Sequence, residues 1–344
     1  PLETGTVRDH IDRAINFTKN DLGAHGLCHL GFADWMDPMN LPTGAESAFT
    51  TCLLGVAIKE RIALAKIEKD TATIEMLTSD YQKIKDNFNE VAWTGEWYLS
   101  YINHKGERLG APEAPSGKIF SFGQTWPILA GFAEGERMEK ALASVKNLLS
   151  TKHGIKASTP GFTRYDPNVG GVSTFPPGAK ENCGIFMHTN PWVIISEAIA
   201  GNNQQAYEYH ANTNPAVKNE IIDTYELEPY VYAQNILSDE HPQFGLARNS
   251  WLSGTAAWMY VAATQYILGI QPTLEGLRIA PHFPKSWDKV TVTRNFRGAT
   301  YHISMKKDPH PSKSIQISVD GQPIQGNIIA PFENGEHTIV VSLE

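Results

Sequence analysis

Apolar side chains recur at helical spacing along most of the chain up to about residue 270, and alternate with polar ones beyond it. Val7, Ile11, Ala14, Ile15 and Phe17 predict a helix over residues 4–21, with Gly23 as a plausible stop. A second helix is expected over 45–69, with Phe49, Leu53, Val56, Ile62 and Ala63 as its buried face. Thr71 is a reasonable N-cap for a third that runs to about Val91. Residues 93–101, dense in Trp and Tyr, read as a hairpin or aromatic loop. Further helices are expected over 124–132, 135–149, 191–199, 203–211 and 250–268. Two long connections, 153–188 and 221–248, lack helical periodicity and are rich in Gly, Pro and aromatic residues. Long loops of this kind often carry function.

Past Gly269-Ile270-Gln271-Pro272 the period changes to two. Residues 290–293, 299–303 and 315–319 alternate, Asp320-Gly321 supplies a hairpin signal, and 337–341 looks like a closing strand. The pattern predicts a mainly α protein. Its helical region, residues 1–270, has the paired helices and loops of an α/α barrel, and a small antiparallel β-sandwich follows over 271–344.

Composition narrows the function. The chain has 344 residues, enough for a sizeable core and two domains, and a net charge of −8 with no dense basic stripe. Nucleic acid and anionic membranes are therefore not expected partners. No apolar run approaches a membrane span, and no signal peptide opens the sequence. Cys28, Cys52 and Cys183 are an odd, widely separated set, which fits a reducing, cytoplasmic setting better than a disulfide framework. His25, Cys28 and His29 lack an evident fourth ligand and match no common zinc spacing, so no metal site is expected. Pro1-Leu2-Glu3-Thr4 leads into a helix without an initiator Met, as in a fragment or a processed chain.

The candidate chemistry lies in four stretches. Residues 31–40 place Asp34 and Asp37 either side of Trp35-Met36, just before the turn-like Leu41-Pro42-Thr43-Gly44. A Trp face stacks on a pyranose ring, and a carboxyl group near such a face is suited to general-acid work on a sugar. The same residues also fit a loop in which Trp35 plugs a core and the aspartates cap the next helix. Residues 178–188 bring Lys180, Glu181, Asn182 and His188 into one segment, with groups that can exchange hydrogen bonds with sugar hydroxyls or meet an anion. A surface loop with a helix-capping His fits it equally well. Residues 225–235 interleave acids, aromatics and amides, the composition of a sugar subsite or of an aromatic core edge. Arg248-Asn249-Ser250-Trp251-Leu252-Ser253-Gly254-Thr255 opens a helix with hydroxyls and glycine, and so offers either an anion site or plain N-capping by Ser250 or Ser253.

Taken in order, Ala33-Asp34-Trp35-Met36-Asp37, Pro176-Pro177-Gly178-Ala179-Lys180-Glu181-Asn182, Glu228-Pro229-Tyr230-Val231-Tyr232-Ala233-Gln234-Asn235 and Asp239-Glu240-His241-Pro242-Gln243-Phe244-Gly245 resemble the inverting disaccharide phosphorylases of glycoside hydrolase family 94. The cellobiose and chitobiose phosphorylases are examples. The resemblance runs nearly end to end and includes Asn249–Thr255 and the β tail. It implies an (α/α)6 barrel, incomplete at its N-terminal side, followed by the β domain. It also implies that the chain begins inside that barrel.

Carried over by motif position, Asp37 matches the general acid and Trp35 a sugar-contacting neighbour. Lys180, Glu181 and Gln234 match sugar-site positions, and His188, Ser253 and Gly254 match the phosphate site. Two positions depart from the family. Met36 replaces an Asn that offers amide hydrogen bonds beside the acid, and Cys183 stands where glycine is common.

The resemblance implies inverting phosphorolysis of a β-linked gluco-disaccharide, cellobiose-like first, with chitobiose, laminaribiose and cellobionate open. The products would be an α-sugar 1-phosphate and a free sugar, with phosphate as substrate and no cofactor. An inverting hydrolase needs a second carboxylate to activate water, for which Glu226 or Glu228 would serve. A catalytically silent or partner-dependent half is the non-enzyme alternative, with a further chain supplying the absent helices. Family members are commonly homodimers.

Overall fold

A computed structural model describes residues 4–308 and 315–343. Pro1-Leu2-Glu3, part of the expected chain start, lies outside the described residues. The helices are α1 (Val7–Asn20), α2 (Ala48–Glu68), α3 (Thr71–Val91), α4 (Ser121–Ala130), α5 (Gly135–Leu149), α6 (Asn190–Ile199), α7 (Asn203–Thr213), the single turn α8 (Ile222–Tyr225) and α9 (Thr255–Val261). With 40% of the described residues helical and 21% in strands, the fold is mixed rather than mainly α.

The helices form two rows. α2, α4, α6 and α9 follow one another on the inside, each touching the next. α3, α5 and α7 pack outside α2, α4 and α6 respectively. Sequence explains the division. α4 and α6 bury nearly every side chain, whereas α3 and α5 are amphipathic with one covered stripe. Among the inner rings, Phe49 meets Phe122 and Trp126 edge-on and Trp192 at a tilt, with centroids 4.8–6.2 Å apart.

Local chemistry fixes the helix ends. Thr6 and Asp9 form a capping box on α1, and Ser47 Oγ accepts from Thr50 N at the start of α2. The third helix is capped by Asp70, which accepts from Thr73 N, and not by Thr71 as expected. The carboxylate acceptor one position earlier wins because Thr71 already has helical backbone. On the expected face of α2, Phe49 is buried and Val56, Ile62 and Ala63 are partly buried, but Leu53 is not covered. Cys52, Leu54, Ile58 and Ala65 are buried. In α1 only Ile15 is buried, and Val7, Ile11 and Phe17 are exposed. Trp93 and Tyr98 pair as the expected hairpin.

Residues 250–253 do not continue the last helix. Ala247–Ser250 is a strand, α9 begins at Thr255, and its continuation Ala262–Ile267 widens into a π-helix. Asn249 and Trp251 have left-handed backbone (φ 57° and 66°), which a helix cannot include. That strand joins a small antiparallel sheet in which Ala233–Ile236 lies between it and Ile185–Phe186. The sheet ties both long connections together.

The C-terminal strands share one apolar core with Ile270, Leu277, Tyr301, Ile303, Ile339 and Val341 in it. Lys289–Phe296 pairs with Ala299–Lys307, and Asp320-Gly321 makes the expected hairpin with positive φ at both positions. The sheet is not wholly antiparallel. Glu336–Leu343 inserts between Ala299–Lys307 and Gln316–Val319 and runs parallel to the first. A strand that closes the chain by entering the middle of a sheet buries both its edges, which outweighs the slightly weaker parallel pairing.

Candidate active site

The acid-bearing turn is built by its own side chains. Met36 N donates to Asp34 Oδ1 at 2.9 Å, and Met39 N closes on Met36 O. Asp34 also accepts from Ser47 Oγ at 2.7 Å and from Tyr101 OH at 3.0 Å. Burial pushes its carboxyl up, and these donors pull it partly back. The connection over 153–188 braces the turn from outside, with Asn40 N on Val169 O and Val172 N on Pro38 O. Gly170 is required there: at φ 88° its backbone approaches so closely that a Cβ would stand 2.8 Å from Asn40 Cβ.

Met36 points into the core and is almost wholly buried. A thioether therefore occupies the position where the resemblance implies an amide. Asp37, by contrast, is exposed, and its carboxylate has no hydrogen-bond partner among the described residues.

Asn182 ties the second motif. Buried, it accepts from Phe162 N and donates to Phe162 O and Phe175 O. The turn over 179–182 then projects Lys180 and Glu181. Lys180 N donates to Asn235 Oδ1, and its ammonium lies 4.9 Å from the Phe175 ring centroid. Glu181 is buried with Oε2 unpartnered among the described residues. Burial raises its carboxyl, a backbone N–H lowers it, and the charge of Asp37 raises it further. Cys183 has φ 67°, a left-handed backbone that glycine adopts more readily. Its thiol is buried against Ser158 Oγ.

His188 sits in a short turn that leads into α6. Trp35 Nε1 donates to its Nδ1 at 3.3 Å, Nε2 is buried without a partner among the described residues, and burial lowers its pKa. Ser253 Oγ accepts from Thr255 N at 3.1 Å. Gly254 lies against the imidazole, and a Cβ there would be 2.9 Å from its Cε1. Gln234 Oε1 accepts from Asn249 Nδ2 at 2.8 Å.

All eight residues singled out in the sequence, Trp35, Asp37, Lys180, Glu181, His188, Gln234, Ser253 and Gly254, line a single cleft of about 410 Å3. Phe175, Phe186 and Leu252 line it too. Sequence reasoning missed these three, although each adjoins one of the motifs. Glu226 and Glu228, the residues suggested for a hydrolytic base, are not among the lining residues. Glu228 accepts from the indole of Trp251, and Glu226 ends α8. Glu240 is structural, accepting from Thr159 Oγ1 and Gly161 N. His25 bonds Glu46 and His29 bonds Asp21. Among the described residues no group of three or more His, Cys, Asp or Glu is arranged to hold a metal, and no helix is long and apolar enough to cross a membrane.

Comparison with known proteins agrees with this architecture. The chain is 33% identical over 98% of its length to N,N'-diacetylchitobiose phosphorylase of Vibrio proteolyticus, covering 42% of that protein. It is 31% identical over 98% of its length to solabiose phosphorylase of Paenibacillus borealis, covering 45% of it. The chain thus spans less than half the length of these relatives. In fold it is similar to the GH78 family rhamnosidase of Bacillus sp. GL1, with a TM-score of 0.56 at 13% identity over 98% of this chain and 32% of that one. The catalytic-domain profile of the glycosyl hydrolase 94 superfamily matches residues 2–269, and the chain belongs to that family.

Proposed function

We propose that this chain carries the catalytic and phosphate-binding residues for reversible, inverting phosphorolysis of a β-linked gluco-configured disaccharide, cellobiose-like or with an N-acetylated or otherwise altered acceptor sugar. The helical region is then the C-terminal part of an (α/α)6 barrel. The observation that carries the reading is the convergence of Asp37, the sugar-type donors and acceptors Lys180, Glu181 and Gln234, and the anion-type group His188, Ser253 and Gly254 on one cleft.

In this mechanism Asp37 gives a proton to the leaving glycosidic oxygen. Phosphate, held by His188, the Ser253 hydroxyl and the backbone at Gly254, attacks the anomeric carbon from the opposite face. The bond to the aglycone oxygen breaks as the C–O bond to phosphate forms, so configuration inverts and an α-sugar 1-phosphate leaves with the free sugar. Phosphate is already an anionic nucleophile, so one acid suffices where a hydrolase needs an acid and a base. Neither a metal nor an organic cofactor enters these steps.

A second reading has its own observation. α1 leaves Val7, Ile11 and Phe17 exposed, a seam that further polypeptide would cover. On that reading the chain turns over only when so covered.

The test is incubation with α-glucose 1-phosphate and a panel of acceptors that includes glucose and N-acetylglucosamine, with phosphate release measured for the wild type and Asp37→Asn. Acceptor-dependent release that the variant lacks supports phosphorolysis. In a parallel incubation with cellobiose or N,N'-diacetylchitobiose, release of sugar without any dependence on phosphate points to hydrolysis instead. A folded chain that is inert supports the partner-dependent reading.

A further inference from the structure

We propose that Trp35 is a positioning residue whose indole N–H fixes His188 as the neutral, Nε2-protonated imidazole, the form that offers its one donor to an oxyanion in the cleft. The inference rests on the phosphate role given to His188 above.

An indole nitrogen donates and has no acceptor capacity. Trp35 Nε1 stands 3.3 Å from His188 Nδ1, so Nδ1 must present its lone pair and the ring proton belongs on Nε2. Placing a proton on Nδ1 would set N–H against N–H. Both rings pack against aromatic neighbours. Trp35 is enclosed by Phe122, Phe186 and Trp192, with centroids 5.6, 5.5 and 4.9 Å away, and His188 also packs on Trp192 at 5.0 Å. This enclosure leaves less of the Trp35 face for stacking on a sugar than the sequence implies.

The other end of the imidazole completes the argument. Nε2 is buried and unpartnered among the described residues, a state that native proteins seldom keep without a ligand or water to satisfy it. Gly254 leaves space against the ring, where a Cβ would stand 2.9 Å from Cε1 and 3.3 Å from each ring nitrogen.

The titratable groups that share the cleft with the ring are Asp37, Lys180 and Glu181. None of them forms an ion pair with His188 among the described residues, so the indole is the group that biases the tautomer. A ring held neutral binds phosphate by donation rather than by charge. Phosphate affinity then follows the ionisation of phosphate itself and does not collapse as an imidazolium would deprotonate.

The test reads the proton directly. Nitrogen-15 shifts of labelled histidine, with the His188 signal assigned by its loss in His188→Gln, are recorded at neutral pH with and without inorganic phosphate. The expected wild-type ring carries its proton on Nε2, and phosphate shifts that signal. In Trp35→Phe, which removes the N–H but keeps an aromatic ring, the tautomers mix and phosphate binds roughly 2- to 10-fold more weakly. An Nδ1-protonated or doubly protonated wild-type ring overturns the proposal with no variant needed. So does an unchanged tautomer in folded Trp35→Phe. Tautomer behaviour as expected, with no response to phosphate, supports the positioning role of Trp35 and overturns the phosphate reading of the site.

Discussion

Asp34 and Asp37 stand three positions apart in one turn, and the fold uses one as scaffold while leaving the other open to the cleft. Asp34 gathers Met36 N, Ser47 Oγ and Tyr101 OH on its two oxygens. The carboxylate of Asp37 accepts from no described residue, and only its backbone oxygen is engaged, by Asn40 Nδ2.

Asp34→Asn should destabilise the chain by about 1–3 kcal/mol, because an amide cannot accept at both oxygen positions and one buried donor loses its partner. Urea unfolding measures it. An unchanged midpoint would mean that the three contacts do not hold the turn.

Asp37→Asn should leave stability within about 0.5 kcal/mol of wild type, since no protein contact is lost. Turnover in the synthetic assay should fall by about 100-fold or more if Asp37 is the proton donor. Parallel losses in stability and turnover would instead make it another scaffold residue.

Gly254→Ala separates binding from folding. The backbone at Gly254 is ordinary for any residue, with φ −74°, so the folding cost should stay within about 1 kcal/mol. The added methyl meets His188 Cε1 at 2.9 Å and must displace the ring. Phosphate titration by calorimetry should then show weakened binding in a protein of near-normal melting temperature.

Glu197 gives the clearest pH dependence. It is buried on α6, and burial raises its carboxyl from 4.5 to about 7, with the Asn202 amide pulling it partly back. The native state therefore holds the proton more tightly than the unfolded chain. Its contribution is fully present below pH 4.5 and is lost as pH rises through about 7, a change of up to about 3 kcal/mol. Glu197→Gln should abolish that decline. The difference between wild type and variant in urea midpoint, followed from pH 4 to 8, isolates it from carboxylates such as Asp70, whose capping contacts with Thr73 lower its pKa and act in the opposite sense.

Much of this molecule is set by short-range pattern. Helix periods over 7–20, 48–68, 71–91 and 135–149, the Asp320-Gly321 hairpin and the alternating strands depend on spacing and turn chemistry within a few residues. All eight cleft residues could be named from local motifs because each motif is contiguous. Tertiary structure decided what spacing leaves degenerate. α2 is apolar around most of its circumference, so only packing against α3 and α4 chooses Leu54 and Ile58 over Leu53 as buried. The strand at 247–250 takes Ser250 from the expected helix, because Ala233–Ile236 offers it a ladder partner. The parallel entry of Glu336–Leu343 joins segments whose order along the chain does not specify direction. The contact from Trp35 to His188 spans 153 positions, and the different fates of Asp34 and Asp37 rest on Ser47 and Tyr101. Local spacing encodes which side chains share a face, but what covers that face comes from elsewhere in the chain.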